Sequence, residues 1–290
     1  MKPFDLVVAH DSAEALAVLA RIGADARLLA GGTDLLVELK SAVRVPAFVV
    51  DISRAKDLRS IAMTDEGIVI GAAVTHDEIV DSPLIRRWVP AVADACHSIG
   101  AAQTRSLGTL GGNLVTCVPS IDGGPVLVAL EAQVTVAGPA ARRRMTLKEF
   151  FVGPRRTALR PDELLLDILI PKKSLGKPAD FQKFGLRKGQ ALALASVAAS
   201  YCVGGLPAAF VEPRIALGAV APTVMRAAQA EAFLEGRTIS PEAMREAGRI
   251  AAAEARPITD FRASADYRRD LIAVLTRRAL ENARSRAQEA

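Results

Sequence analysis

Gln103-Thr104-Arg105-Ser106-Leu107-Gly108-Thr109-Leu110-Gly111-Gly112-Asn113-Leu114 is the stretch on which the reading of this chain turns. An earlier counterpart runs Leu28-Leu29-Ala30-Gly31-Gly32-Thr33-Asp34-Leu35-Leu36. Each sets two adjacent glycines after a short apolar or β-branched run and follows them with Thr-Asp or Asn-Leu. Each therefore offers backbone N–H groups bare of side chains next to a polar residue, a peptide that can close on a phosphate. Two such stretches, about eighty residues apart, suit the two sides of one diphosphate. We expect a dinucleotide cofactor, FAD, held between them.

Upstream of the first glycine pair, Phe4 to Val8 reads as a strand. Asp11 with Glu14 makes a capping-box pattern ahead of Ala15, Leu16, Val18 and Leu19, which predicts a helix from Ser12 to Ile22 that stops at Gly23. Ala26 to Ala30 is an apolar strand leading into Gly31, and Leu35 to Lys40 reads as a short helix. The first glycines thus lie at a strand-to-helix turn, a favourable place for an anion, where Asp34 has the alternative role of a plain N-cap. Ala47 to Ile52, Leu58 to Met63 and Ile68 to Ala72 are strand-like. Thr75 starts a short helix through Glu78, and Ser82-Pro83 a longer one to about Ile99. His76 and His97 fall on these helices without a companion at metal-ligand spacing, and read as surface or packed residues.

Downstream of the second glycine pair, Asp122 precedes Gly123-Gly124-Pro125 and an apolar helix from Val126 to Glu131. It is placed either to accept hydrogen bonds from cofactor hydroxyls or to cap that helix. Gln133 to Ala137 and Arg142 to Leu147 make a hairpin about Gly138-Pro139, and Glu163 to Ile170 is a strand ended by Pro171. Lys172 to Pro178, rich in Lys, Gly, Ser and Pro, marks the domain boundary. At 290 residues two domains are expected. These are 1–173, itself two lobes of about 1–55 and 56–173, and 179–287. Asp180 to Arg187, Leu192 to Val203 and Ala208 to Val220 read as an antiparallel meander, followed by helices near Val224 to Leu234, Pro241 to Glu254 and Ser264 to Ala283. The predicted fold class is α+β: a small β-α-β lobe and a mixed α/β lobe, then a three-stranded antiparallel sheet with three helices.

Composition narrows the classes. The formal charge is +5, but Arg142-Arg143-Arg144 and Arg155-Arg156 sit among turn residues rather than along one face. They read as a solvated rim or a subunit contact, and no aromatic-basic interleaving points to nucleic acid. Cys96, Cys117 and Cys202 show no CxxC spacing, which excludes an iron–sulfur or zinc site on cysteines alone. Free thiols and an N-terminus without an apolar signal core point to the cytoplasm. Ala191 to Val211 is uncharged and as long as a membrane span. Its Ser196, Ser200, Gly204-Gly205 and Pro207 suit two buried strands and a turn instead, so no integral membrane segment is expected.

At these residues the chain resembles the FAD-binding medium subunit of the molybdenum-containing hydroxylases, the family of xanthine dehydrogenase and carbon monoxide dehydrogenase. The likeness covers nearly the whole length: A-G-G-T-D-L-L at Ala30 to Leu36, G-T-L-G-G-N-L at Gly108 to Leu114, Asp122 before Pro125, R-T-A-L-R-P-D-E-L-L at Arg156 to Leu165, F-Q-K-F-G-L-R at Phe181 to Arg187, and A-D-Y-R-R-D-L in the last helix. The resemblance implies that Leu29, Ala30, Gly31, Gly32, Thr33, Asp34 and Leu35 wrap the FAD diphosphate from one side, and Thr109, Gly111, Gly112 and Asn113 from the other. It further implies Asp122 at the hydroxyl-bearing part of the cofactor, Leu165 as a backbone contact near the isoalloxazine edge, and Lys183 beside the flavin. On this chain it implies electron transfer, with no catalytic residue acting on substrate and no metal ligand. The implied partners are a large molybdopterin-binding subunit and a small subunit with two two-iron, two-sulfur clusters, assembled as a dimer of heterotrimers. Where some members place an aromatic residue over the flavin, this chain has Ala191 and Leu192. The alternatives are a free-standing FAD-dependent oxidase, for which the C-terminal region is small, and a scaffold subunit that has lost flavin, which predicts damaged glycine stretches.

Overall fold

The computed structural model describes residues 1–289, with side chains through Arg286. The first sheet is parallel, with Phe48–Asp51 between Asp5–Val8 and Ala26–Leu29. Helix Ser12–Ile22 starts where Asp11 accepts the Glu14 N–H at 2.8 Å and ends at Gly23 with φ 62°, as predicted. The return arm of the cap is shifted by one residue: Glu14 accepts the N–H of His10, not of Asp11. Ala15, Leu19 and Val50 pack together with Ala137, Leu164 and Leu166 of the next sheet. This lobe therefore shares its core and is fixed against its neighbour.

The second sheet is antiparallel, in the order Ile61–Met63, Gly67–Gly71, Leu164–Pro171, Gln133–Ala137, Arg142–Thr146. The hairpin about Gly138-Pro139 is present. The single helix expected from Ser82 to Ile99 is instead two, Pro83–Trp88 and Pro90–His97. Pro90 has no N–H to continue the first helix, and Val89 before it leaves helical geometry at φ −146°, ψ 57°. Between Leu165 and Asp167 the ladder slips by one residue, and the Leu166 carbonyl accepts the Ala72 N–H at 2.9 Å. Such a bulge bends the strand, here beside the glycine stretch that also bonds Ala72.

The third sheet is the expected meander, Ala179–Gly185, Ala193–Gly204 and Ala209–Gly218, extended by the two-residue strand Met225–Arg226. Helices Ala228–Leu234, Pro241–Glu254 and Ala265–Glu289 cover it. The uncharged run from Ala191 is two strands turning at Gly204-Gly205-Leu206-Pro207. Among the described residues no helix is long and apolar enough to cross a membrane. Tyr201, fully buried between sheet and helices, donates its hydroxyl to the Leu280 carbonyl at 3.0 Å. Tyr201→Phe is expected to lower unfolding free energy in urea by about 1 kcal/mol, the net contribution of one neutral hydrogen bond.

Candidate functional site

The two glycine stretches meet. Gly31 lies so close to the second stretch that an added Cβ would fall 1.8 Å from the Leu107 carbonyl oxygen and 2.9 Å from Gly108 Cα. Gly32 turns the chain with φ 73°, a conformation that favours glycine. The N–H groups of Gly31, Gly32, Thr33, Asp34 and Leu35 make no hydrogen bond to another described residue. Asp34 does not cap helix Leu35–Lys40 with its side chain, so the plain N-cap role is not the one it plays.

The second stretch departs from the expected loop. Thr109 is the N-cap of helix Leu110–Thr116, so Gly111 and Gly112 lie in a first helical turn. Their amides are already taken: Gly111 N–H donates to Ala72 O at 3.1 Å and Gly112 N–H to Thr109 Oγ1 at 3.0 Å. Leu110 and Asn113 donate to Val74 O and Thr109 O. From Gly108 to Asn113 only the Thr109 N–H is left over among the described residues. Gly111 is there for close approach, since a Cβ would sit 2.5 Å from the Ala72 oxygen. The first stretch supplies donors; the second supplies a tightly fitted wall. Thr109→Val, which keeps the shape and loses the cap, should lower thermal stability by about 1 kcal/mol in calorimetry.

A cleft of about 990 Å³ opens along this junction, the size of a ligand site. Ala30 to Leu35, Thr109, Gly111, Gly112, Asn113, Asp122 and Leu165 line it, whereas Leu29 and Lys183 do not. Leu29 ends the preceding strand. Lys183 stands behind Asp122, with Nζ 2.5 Å from Oδ2 and 3.0 Å from the Ser98 carbonyl oxygen. Burial pushes the Asp122 carboxyl up to about 6, against the pull of the Lys183 ammonium. Asp122 makes no cap to helix Gly123–Ala129, and its Oδ1 is buried without a partner, as is Oδ1 of Asn113. Gln190, Ala191 and Leu192 close one end of the cleft, held there by the Gln190 N–H on the Gly100 carbonyl at 3.1 Å.

Several lining residues escape a reading from sequence. Arg155 and Arg156, read above as a solvated rim or a subunit contact, line the cleft together with Arg160. Glu38 ties Arg155 and Arg44 together across the opening. The signal for them is the tandem arginine at the tip of the tight hairpin Phe151–Gly153 and Arg156–Thr157. His76 is the other, 2% exposed and packed against Gly108.

Unclaimed amides at Gly31 to Leu35, a junction that admits no Cβ, two orphaned oxygens and nearby guanidinium groups fit a long anionic ligand such as FAD. Residues 2–173 match the family described as the FAD binding domain in molybdopterin dehydrogenase. The chain belongs to this FAD-binding family. Residues 181–283 match the carbon monoxide dehydrogenase flavoprotein C-terminal domain. The carbon monoxide dehydrogenase medium chain of Hydrogenophaga pseudoflava is 33% identical over 94% of both chains. A 6-hydroxypseudooxynicotine dehydrogenase complex subunit of Paenarthrobacter nicotinovorans is 31% identical over 99% of this chain and 97% of its own. A solved Hydrogenophaga carbon monoxide dehydrogenase superposes with a TM-score of 0.93 over 99% of both chains. The α+β fold is therefore that of this FAD-binding family, and the chain is an oxidoreductase subunit of the medium-chain type.

Proposed function

We propose that this family member is the electron-transfer subunit of a molybdenum hydroxylase complex. It takes electrons from iron–sulfur clusters on a small partner chain, which are filled in turn by a large molybdopterin-binding chain, and it passes them to an external acceptor. The complex is a cytoplasmic dimer of heterotrimers, with residues 1–173 of this chain the FAD-binding part and 179–287 the C-terminal domain. The observation that carries the reading is the row of unclaimed N–H groups at Gly31 to Leu35, abutting the wall made by Gly108 to Asn113.

FAD, when bound, supplies exchange of both single electrons and electron pairs. The protein's part is to bind and orient it. The amides of Gly31 to Leu35 and of Thr109 hold the diphosphate, and Arg155 adds charge at the opening. Asn113 and Asp122 take hydroxyl hydrogens on their free oxygens, and Leu165 borders the ring end, with Ala191 and Leu192 covering it. Because Lys183 is engaged by Asp122, its charge is largely neutralised at the cleft, and it acts by keeping that carboxylate ionised and in place. Purification of the native complex tests the reading. It predicts flavin bands released on denaturation, together with iron, molybdenum and two companion chains; a lone colourless chain contradicts it.

A further inference from the structure

His76 begins helix His76–Asp81, just after Thr75, whose bridge to Thr109 joins this helix start to the second glycine stretch. Its own N–H donates to the Gly108 carbonyl at 2.9 Å, so its backbone position is fixed by that stretch. The ring lies on the cleft wall, with Cδ2 3.4 Å from where a Cβ on Gly108 would stand. Thr33 Oγ1 is 3.5 Å from that same point. His76 is thus wedged where the two stretches touch, and it is buried. Nδ1 is sealed from solvent and has no hydrogen-bond partner.

A sealed nitrogen without a partner is better left as a lone pair than as an N–H, since orphaned buried donors are rarer than orphaned acceptors. Burial also keeps the ring neutral, holding its pKa down to about 4, with Asp77 opposing the shift and Arg105 adding to it. The single proton of the neutral ring then sits on Nε2, on the edge away from the sealed nitrogen.

We infer that neutral His76 is a further binding residue of the cofactor site, donating its Nε2–H to an anionic oxygen of a dinucleotide diphosphate at the junction of Gly108 and Thr33. This rests on the FAD reading above and adds a side-chain donor that belongs to neither glycine stretch. It gives the second stretch, whose amides from Gly108 to Asn113 are committed except that of Thr109, a donor supplied from the helix behind it.

The test is FAD and riboflavin affinity by flavin fluorescence on the deflavinated full chain. His76→Leu keeps the bulk and removes the donor, and a charge-assisted hydrogen bond lost at this point should weaken FAD binding about 10- to 100-fold. Riboflavin, which lacks the diphosphate, should bind this variant and wild type within about twofold. His76→Gln places an amide N–H near the Nε2 position and should restore most of the FAD affinity, while His76→Asn, whose amide reaches only as far as Nδ1, should not. If His76→Leu does not fold, the Gln and Asn pair still decides. Equal FAD affinity in the Gln and Asn variants, or an equal loss of riboflavin and FAD, would overturn the inference. Wild-type chain that takes up no FAD at all would instead overturn the proposed function.

Discussion

Gly31→Ala is expected to leave the chain without flavin. The added Cβ would fall 1.8 Å from the Leu107 oxygen and 2.4 Å from its carbonyl carbon, both backbone atoms that have no side-chain torsion with which to yield. The two stretches must part by more than an ångström. Overpacking against side chains costs about 1–3 kcal/mol, and against two backbones the upper end applies. That displacement falls on the amides proposed to hold the diphosphate, so FAD affinity should drop more than about 100-fold, read as flavin content after native purification and as Kd by titration. Gly23→Ala is the matched control. It meets nothing within 4 Å, and with φ 62° and ψ −129°, a backbone that L side chains rarely adopt, it should cost about 1–3 kcal/mol of stability while leaving flavin content unchanged.

Lys183→Met carries the second large effect. It removes the only ion-pair partner of Asp122 among the described residues and leaves a carboxylate in a buried pocket. Breaking such a pair costs about 3–5 kcal/mol while the remaining charge persists. The pH dependence follows from the raised carboxyl of Asp122. Its folded value, about 6, lies above the ordinary 3.8, so whatever stability this group confers is fully present below about 4 and is lost as pH rises through 6. Removing Lys183 raises that carboxyl further and moves the loss to higher pH. The variant should therefore be closest to wild type in urea unfolding near pH 5 and furthest from it near pH 8. Adding Asp122→Asn should recover most of the deficit at pH 8. A deficit independent of pH would mean that Lys183 stabilises by packing alone.

The parts of the fold that were legible from sequence are those with a local physical cause. Helix Ser12–Ile22 is bracketed by an Asp cap and a glycine of positive φ, and the hairpin at Gly138-Pro139 by its turn residues. The break at Pro90 is equally local, but the apolar spacing runs on across it and hides it. The second glycine stretch was harder. Its glycines sit in a helical turn because Thr109 caps Gly112 and because Gly111 must approach Ala72, a residue nearly forty positions earlier that no local pattern identifies. The same holds for Lys183, whose engagement by Asp122 depends on a strand of the third sheet crossing behind the cleft. His76 and Arg155 looked like ordinary helix and turn residues, since what places them at the cleft is the meeting of separate elements.

The most direct measurement is a crystal structure of the chain with FAD. The account predicts the diphosphate between the two stretches, its oxygens within hydrogen-bonding distance of the amides from Gly31 to Leu35 and of Thr109. Density for the diphosphate elsewhere in the chain, with those amides facing only solvent, would contradict it.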